Sequence, residues 1–160
     1  MRWSTTRLGR SLRQLVSSED GVRGVSAVEF SLIAPILIAA TVGTVDLGMG
    51  FYRKLQVQSA AQAGAQYAEL NGFNANNISS AITNATAYSG ISASPTPTQF
   101  CGCASASGIS VVACGSQCPG AIPAGTYVTA SAQSTYTTII PYPMIPNSRT
   151  LSAQSTVRIQ

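Results

Sequence analysis

Sixteen consecutive residues, 30–45, carry no charge and are dominated by Ile, Leu, Ala and Val. With Asp46 accommodated, the apolar run extends to Tyr52 and comprises 23 residues. A helix needs about 20 apolar residues to cross a bilayer core, so residues 30–52 are expected to span a membrane. Phe51 and Tyr52 stand where an interfacial aromatic belt would, and Arg53 and Lys54 follow at once. Five arginines precede the span, at 2, 7, 10, 13 and 23. Positive charge marks the cytoplasmic side, so the N-terminus is expected inside and the rest of the chain exported.

The helix is expected to continue past the membrane. Residues 53–70 are rich in Ala and Gln, lack Pro and contain one Gly, a composition with good helix propensity. Asn71-Gly72 is a helix-terminating pair. One helix over 25–70 would be about 70 Å long at 1.5 Å per residue. Ala60, Gly64 and Ala68 recur every four residues, as do Ala61 and Ala65. Such a stripe admits another backbone closely: either the chain's own C-terminal sheet or a neighbouring subunit. Pro35 lies inside the helix and removes one backbone donor, a feature of helix packing or one merely tolerated in lipid.

The expected fold class is α+β: the long helix followed by a small exported antiparallel sheet, two-sided, with one face on the helix. The expected organisation is a basic leader at 1–24, the helix at 25–70 and a β-rich domain at 71–160. Strands are expected at 109–114, 127–140 and 150–159, from their Val, Ile, Thr and Tyr content. Pro141, Pro143 and Pro146 interrupt the connection between the last two.

Charge distribution excludes several functions. The net charge of +4 belongs to the N-terminus: residues 1–54 hold eleven of the fourteen charged side chains, and 55–160 only Glu69, Arg149 and Arg158. No basic face for nucleic acid can be assembled from the exported part. His is absent, which removes histidine acid–base chemistry and histidine metal ligation. A Ser or Cys nucleophile in the exported part would lack an evident base. No enzyme activity, cofactor, metal or small-molecule substrate is expected.

Cys101, Cys103, Cys114 and Cys118 lie beyond the span, on the side where disulfides persist. Two disulfides between the pairs are expected, because linking Cys101 to Cys103 would strain the chain. Nested and crossed connectivities both remain open. A Cys₄ zinc site is the competing reading, but the Cys-x-Cys and Cys-x₃-Cys spacings depart from the usual Cys-x₂-Cys.

The junction at 23–30, Arg-Gly-Val-Ser-Ala-Val-Glu-Phe, is the most informative stretch. Glu29 sits at the start of the apolar run, where a charge costs at least ~2.5–3.5 kcal/mol at the bilayer centre. It is therefore paired, or it snorkels to the cytoplasmic interface. An ordinary signal peptide places its cleavage site after the apolar segment; here the candidate site precedes it. That order resembles type IV prepilins. The resemblance implies cleavage after Gly24 by a prepilin peptidase, with Val25 becoming the new N-terminus. Glu29 would be the carboxylate that pairs with a neighbouring subunit's terminal amine during assembly. Val25 stands where many type IV pilins have Phe.

The run 23–35, together with Val45-Asp46-Leu47-Gly48 and 58–68, more specifically resembles TadE-like proteins, the minor pilins or pseudopilins of tight-adherence (Tad, or Flp) pilus systems. This resemblance covers about 45 residues of the helix. It implies an inner-membrane protein with an exported C-terminal domain. Its partners would be prepilin peptidase, other pilins or pseudopilins and the Tad secretion machinery. The alternative with the same topology is an uncleaved, signal-anchored envelope protein displaying a small disulfide-linked binding module.

Overall fold

The computed structural model describes residues 20–141 and 146–159, with side chains from residue 26 onward. Most of the expected leader, residues 1–19, lies outside the described residues, as does Pro143. The chain divides into two units at Val45/Asp46.

Helix α1, Asp20–Asn71, runs through both units. Up to Val45 its large apolar side chains are exposed, among them Phe30, Leu32, Ile36 and Leu37. Three of its hydroxyls bond within the helix: Ser31 donates to the Val28 carbonyl, Thr41 to Leu37 and Thr44 to Ala40. This local bonding lowers the cost of placing Ser and Thr in an apolar medium. α1 is long and apolar enough to cross a membrane, and its most apolar window is wholly unburied. The helix ends as the Asn71-Gly72 pair leads one to expect. Gly72 adopts φ +76°, a left-handed conformation that glycine takes without a Cβ penalty, and its amide bonds the Ala68 carbonyl at 2.9 Å.

Asp46–Gln160 forms the folded unit. After α1 come helix α2, Ala75–Thr83, and strands β1, Ile91–Ser92, β2, Thr98–Ser105, and β3, Gly108–Val112. A small hairpin follows, β4, Gln117–Cys118, with β5, Ile122–Pro123. The two longest strands close the order: β6, Gly125–Thr137, and β7, Ser148–Arg158. All pairings are antiparallel. β6 is central: β7 pairs along its whole length on one side, while β2 and β1 share the other, and β3 extends the sheet from β2.

The sheet is two-sided, as its alternation requires. Val128, Ala130 and Ala132 of β6 join the core, with Leu151, Ala153 and Val157 of β7 packed against it. The intervening β7 residues Ser152, Gln154, Thr156 and Arg158 are exposed. The core is built largely of alanine. Its largest fully buried side chains are Ile78, Ile82, Val57 and Val128, each contributing on the order of 1.5–3 kcal/mol.

The short strands β1, β4 and β5 add to the expected strand set, and three larger departures matter more. The stretch after Gly72 contains α2, capped by Asn74, whose side chain accepts from the Asn77 amide at 3.1 Å. Its Ile78 and Ile82, one helical turn apart, are both fully buried. The segment holding Cys101-Gly102-Cys103 is strand β2 rather than loop. The expected strand 127–140 ends at Thr137, where the chain turns away from β7.

Candidate functional site: the helix, its buried seam and its polar clamp

Gly24 and Val25 lie within the first turns of α1. Glu29 is exposed one turn on, among exposed Val28, Phe30 and Leu32. Six residues further, Pro35 is inside the helix, so the Ser31 carbonyl loses its amide donor. Between residues 26 and 45 the described side chains thus form an apolar helical surface with one acid, Glu29.

Ala60, Gly64 and Ala68 are all buried, as are Ala61 and Ala65. The seam is filled from within the chain. A Cβ added at Gly64 would lie 2.5 Å from Ile82 Cγ1 and 3.1 Å from the Ala130 Cβ. The side-chain-free position is what lets α2 and β6 close on the helix at that level.

At the other end of the folded unit, the Tyr136 ring covers Gly50, whose added Cβ would lie 3.6 Å from Tyr136 Cε1. Between Gly50 and Gly64 a helix rises about 21 Å. Between Tyr136 and Ala130 a strand spans about 20 Å. The two lengths match, so β6 runs alongside α1 in the opposite direction. The β6–β7 corner therefore lies at the Asp46 end, and the disulfide-bearing strands lie at the far end.

Asp46 is the centre of a polar clamp. It is only 3% exposed. The Tyr136 hydroxyl donates to its carboxylate and also to its backbone carbonyl, the latter at 2.9 Å. The Ile139 amide donates to Asp46 Oδ1 at 3.2 Å. Along the helix face the nearest cation to Asp46 in sequence is Arg53, two turns on; the structure turns the carboxylate inward to β6. The Arg53 guanidinium instead lies 3.7 Å over the Tyr88 ring and donates to Gln56 Oε1 at 2.9 Å. Lys54 donates to the Ser152 carbonyl. The reason for the difference is burial: a carboxylate covered by the sheet must find donors there. Tyr136→Phe removes one donor and leaves the Ile139 amide in place. The expected loss is about 1–3 kcal/mol, read as a lowered urea midpoint for the full chain in detergent micelles.

The cysteines are joined as Cys101–Cys114 and Cys103–Cys118, with Cα separations of 5.1 and 5.6 Å. This is the crossed arrangement. Cys101 and Cys103 lie two residues apart on β2, both buried. β3 returns antiparallel, bringing Val112 opposite Cys101. The chain then reverses near Gly115, at φ +85°, and carries Cys118 back to Cys103. No free cysteine remains among the described residues, which takes the thiolates from the zinc reading. Nor do they contain a group of three or more His, Cys, Asp or Glu placed to hold a metal.

Residues 24–66 match the model of a family described as TadE-like protein. The matched segment opens at Gly24, contains Glu29, Pro35 and Asp46, and ends within the buried seam. Curated proteins and solved structures give no match.

Proposed function

We propose that this chain, TadE-like over residues 24–66, is a minor pilin or pseudopilin that takes part in assembling a Tad (Flp, type IV-like) pilus for adhesion. The TadE-like segment associates it with Tad pilus systems. In this reading α1 crosses the inner membrane once with its N-terminus in the cytoplasm. A prepilin peptidase cuts after Gly24. The freed Val25 amine and the Glu29 carboxylate then pair between subunits, alongside other pilins and the Tad secretion machinery. The folded unit from Asp46 onward is exported and has no catalytic role.

One observation carries the reading: the matched segment begins at Gly24 and runs into an exposed apolar stretch of helix, 26–45, in which Glu29 is the one acid. An unpaired carboxylate is costly in lipid, and a partner on the next subunit offsets that cost. The two disulfides agree with export to an oxidising compartment.

The test is the N-terminus of the membrane-extracted protein, by intact mass and terminal sequencing in a host bearing the pilus system. The expected start is Val25, with full-length precursor accumulating for Gly24→Leu. A wild-type start at Met1, or normal processing of Gly24→Leu, would remove the prepilin step. A Met1 start would leave the uncleaved signal-anchored protein with its disulfide-linked module.

A further inference from the structure

We propose that a second copy of this chain joins its β3 edge to the outer edge of β7, so that one antiparallel sheet continues from copy to copy. The inference goes beyond the pilus-subunit reading and needs from it only that neighbouring copies share one orientation.

The outer edge of β7 is open. Among the described residues β7 pairs with β6 alone. Their register is unbroken from Tyr127/Arg158 to Thr137/Ser148. At its two ends the Ile159 amide bonds the Thr126 carbonyl and the Thr138 amide bonds the Asn147 carbonyl. In an antiparallel ladder alternate residues turn their amide and carbonyl toward the partner strand. Odd-numbered β7 residues therefore face β6, and Ser152, Gln154, Thr156 and Arg158 turn their backbone groups outward. Lys54 donates to one of these, the Ser152 carbonyl. From Ala153 to Val157 the strand carries no charge and no Pro, and the ladder has no bulge. Those are the devices that keep an edge from pairing.

The β3 edge has the matching phase. Thr126 faces β7, so Gly125 and Tyr127 face β2, where their partners are Gly102 and Phe100. Cys101 and Cys103 then face β3, opposite Val112 and Ser110. Ile109 and Val111 are left with their backbone groups outward, and their side chains are 38% and 71% exposed. Those side chains share the outer sheet face with Thr156 and Arg158, because cross-strand partners point to the same side.

Direction matches as well. β3 runs antiparallel to β2, β2 to β6 and β6 to β7, so β3 and β7 point opposite ways. A copy moved sideways without inversion brings its β3 antiparallel to β7. Val111 is level with Gly102 and Gly125, at the end of β6. The smallest step along the strands that sets both apolar residues beside β7 places Val111 of the next copy opposite Thr156, and its Ile109 opposite Arg158. That step is from Gly125 to the level of Thr129, the partner of Thr156, about 13 Å. It leaves the Lys54–Ser152 bond in place. Each copy offers one edge and uses the other, so the contact is heterologous and open-ended.

The test is sedimentation of the full chain in detergent, with micelles in excess over protein. Wild-type mass is expected to rise with concentration past two copies. Thr156→Pro removes an outward amide of β7 and spares the β6 ladder; Val111→Lys sets a charge on the β3 edge. Each variant is expected to stay at one copy. Their equimolar mixture is expected to form pairs and stop there, because each keeps the edge that the other has lost. Thr150→Pro, outward on the same strand but outside the contact, is expected to associate as wild type does. Complete disulfides and a cooperative urea transition check folding, and Thr156→Lys takes the place of a proline variant that does not fold. A one-copy wild type, a single variant that still associates, a mixture that stays at one copy, or a folded Thr150→Pro chain that no longer associates overturns the pairing. A one-copy wild type that starts at Val25 would remove the pairing and leave the pilus-subunit reading. A Met1 start with the expected masses would do the reverse.

Discussion

Gly64→Leu is expected to separate α1 from the rest of the folded unit and to cost more than about 3 kcal/mol, the upper part of the range for overpacking a core. Even the first added atom has no room: it would stand 2.5 Å from Ile82 Cγ1, 3.0 Å from Ile82 Cδ1 and 3.1 Å from the Ala130 Cβ. Ile82 is fully buried and Ala130 belongs to the central strand, so neither neighbour can yield without moving α2 or β6. Gly64→Ala sets two effects against each other. Alanine gains about 1 kcal/mol of helix propensity, while overpacking costs typically 1–3 kcal/mol, so a net loss of up to about 2 kcal/mol is expected. Gly48→Ala is the control, because its added Cβ meets nothing within 4 Å; it should be neutral or mildly stabilising. Combining Gly64→Ala with Ile82→Ala should cost less than the sum of the two, since the new methyl enters the space vacated by the isoleucine. Urea unfolding of the full chain in micelles measures these four and the Ile82→Ala single variant. Additivity of Gly64→Ala and Ile82→Ala would show that the two positions do not share the packing described.

The same seam shows what the sequence can and cannot announce. The long helix was legible because its signals are local and repeated: an uninterrupted apolar run, an Ala/Gln continuation and a terminating Asn71-Gly72. The small-residue stripe was legible as a place of close approach, but its occupant was not. Ile78 and Ile82 sit in an Asn-rich stretch with only nine helical residues, too few to establish a period beside Ser, Thr and Asn. β2 was hidden by Cys101-Gly102-Cys103, which reads as loop. Gly102 is needed there because an added Cβ would fall 2.5 Å from Ile109 Cγ2 on β3. Asp46 marks the limit of local reading. Its sequence neighbourhood offers Arg53, whereas its donors, Tyr136 and Ile139, are 90 and 93 residues away. Only the antiparallel run of β6 along α1 brings them together. At the helix start, the order Gly24, Glu29 and apolar run lies in one linear segment, so it is read from the sequence without any long-range contact.

Removing both disulfides is expected to cost less than twice the effect of removing one, yet enough to unfold the unit from Asp46 onward at physiological temperature. Each bond closes a loop of modest length, with sequence separations of 13 and 15, for which loop-closure entropy gives about 3 kcal/mol. The loops overlap between Cys103 and Cys114, so closing the first already restricts the second. The joint loss should therefore fall between about 3 and 6 kcal/mol. Typical domains have only about 5–15 kcal/mol in total, and this core, with four large fully buried side chains among the described residues, is a thin one. The two bonds should also differ in reach. Cys101–Cys114 reinforces β2 and β3, which already pair from Cys101/Val112 to Ser105/Gly108. Cys103–Cys118 ties the β4–β5 hairpin, a separate two-stranded sheet, to the main one. Cys103→Ala/Cys118→Ala should therefore release amide protection over about residues 116–124, while Cys101→Ala/Cys114→Ala leaves that hairpin tethered. Hydrogen exchange on the paired variants, with thermal melts of the quadruple variant, makes the comparison. Full additivity of the two losses would argue against the crossed pairing, because bonds closing separate loops would not share the restriction.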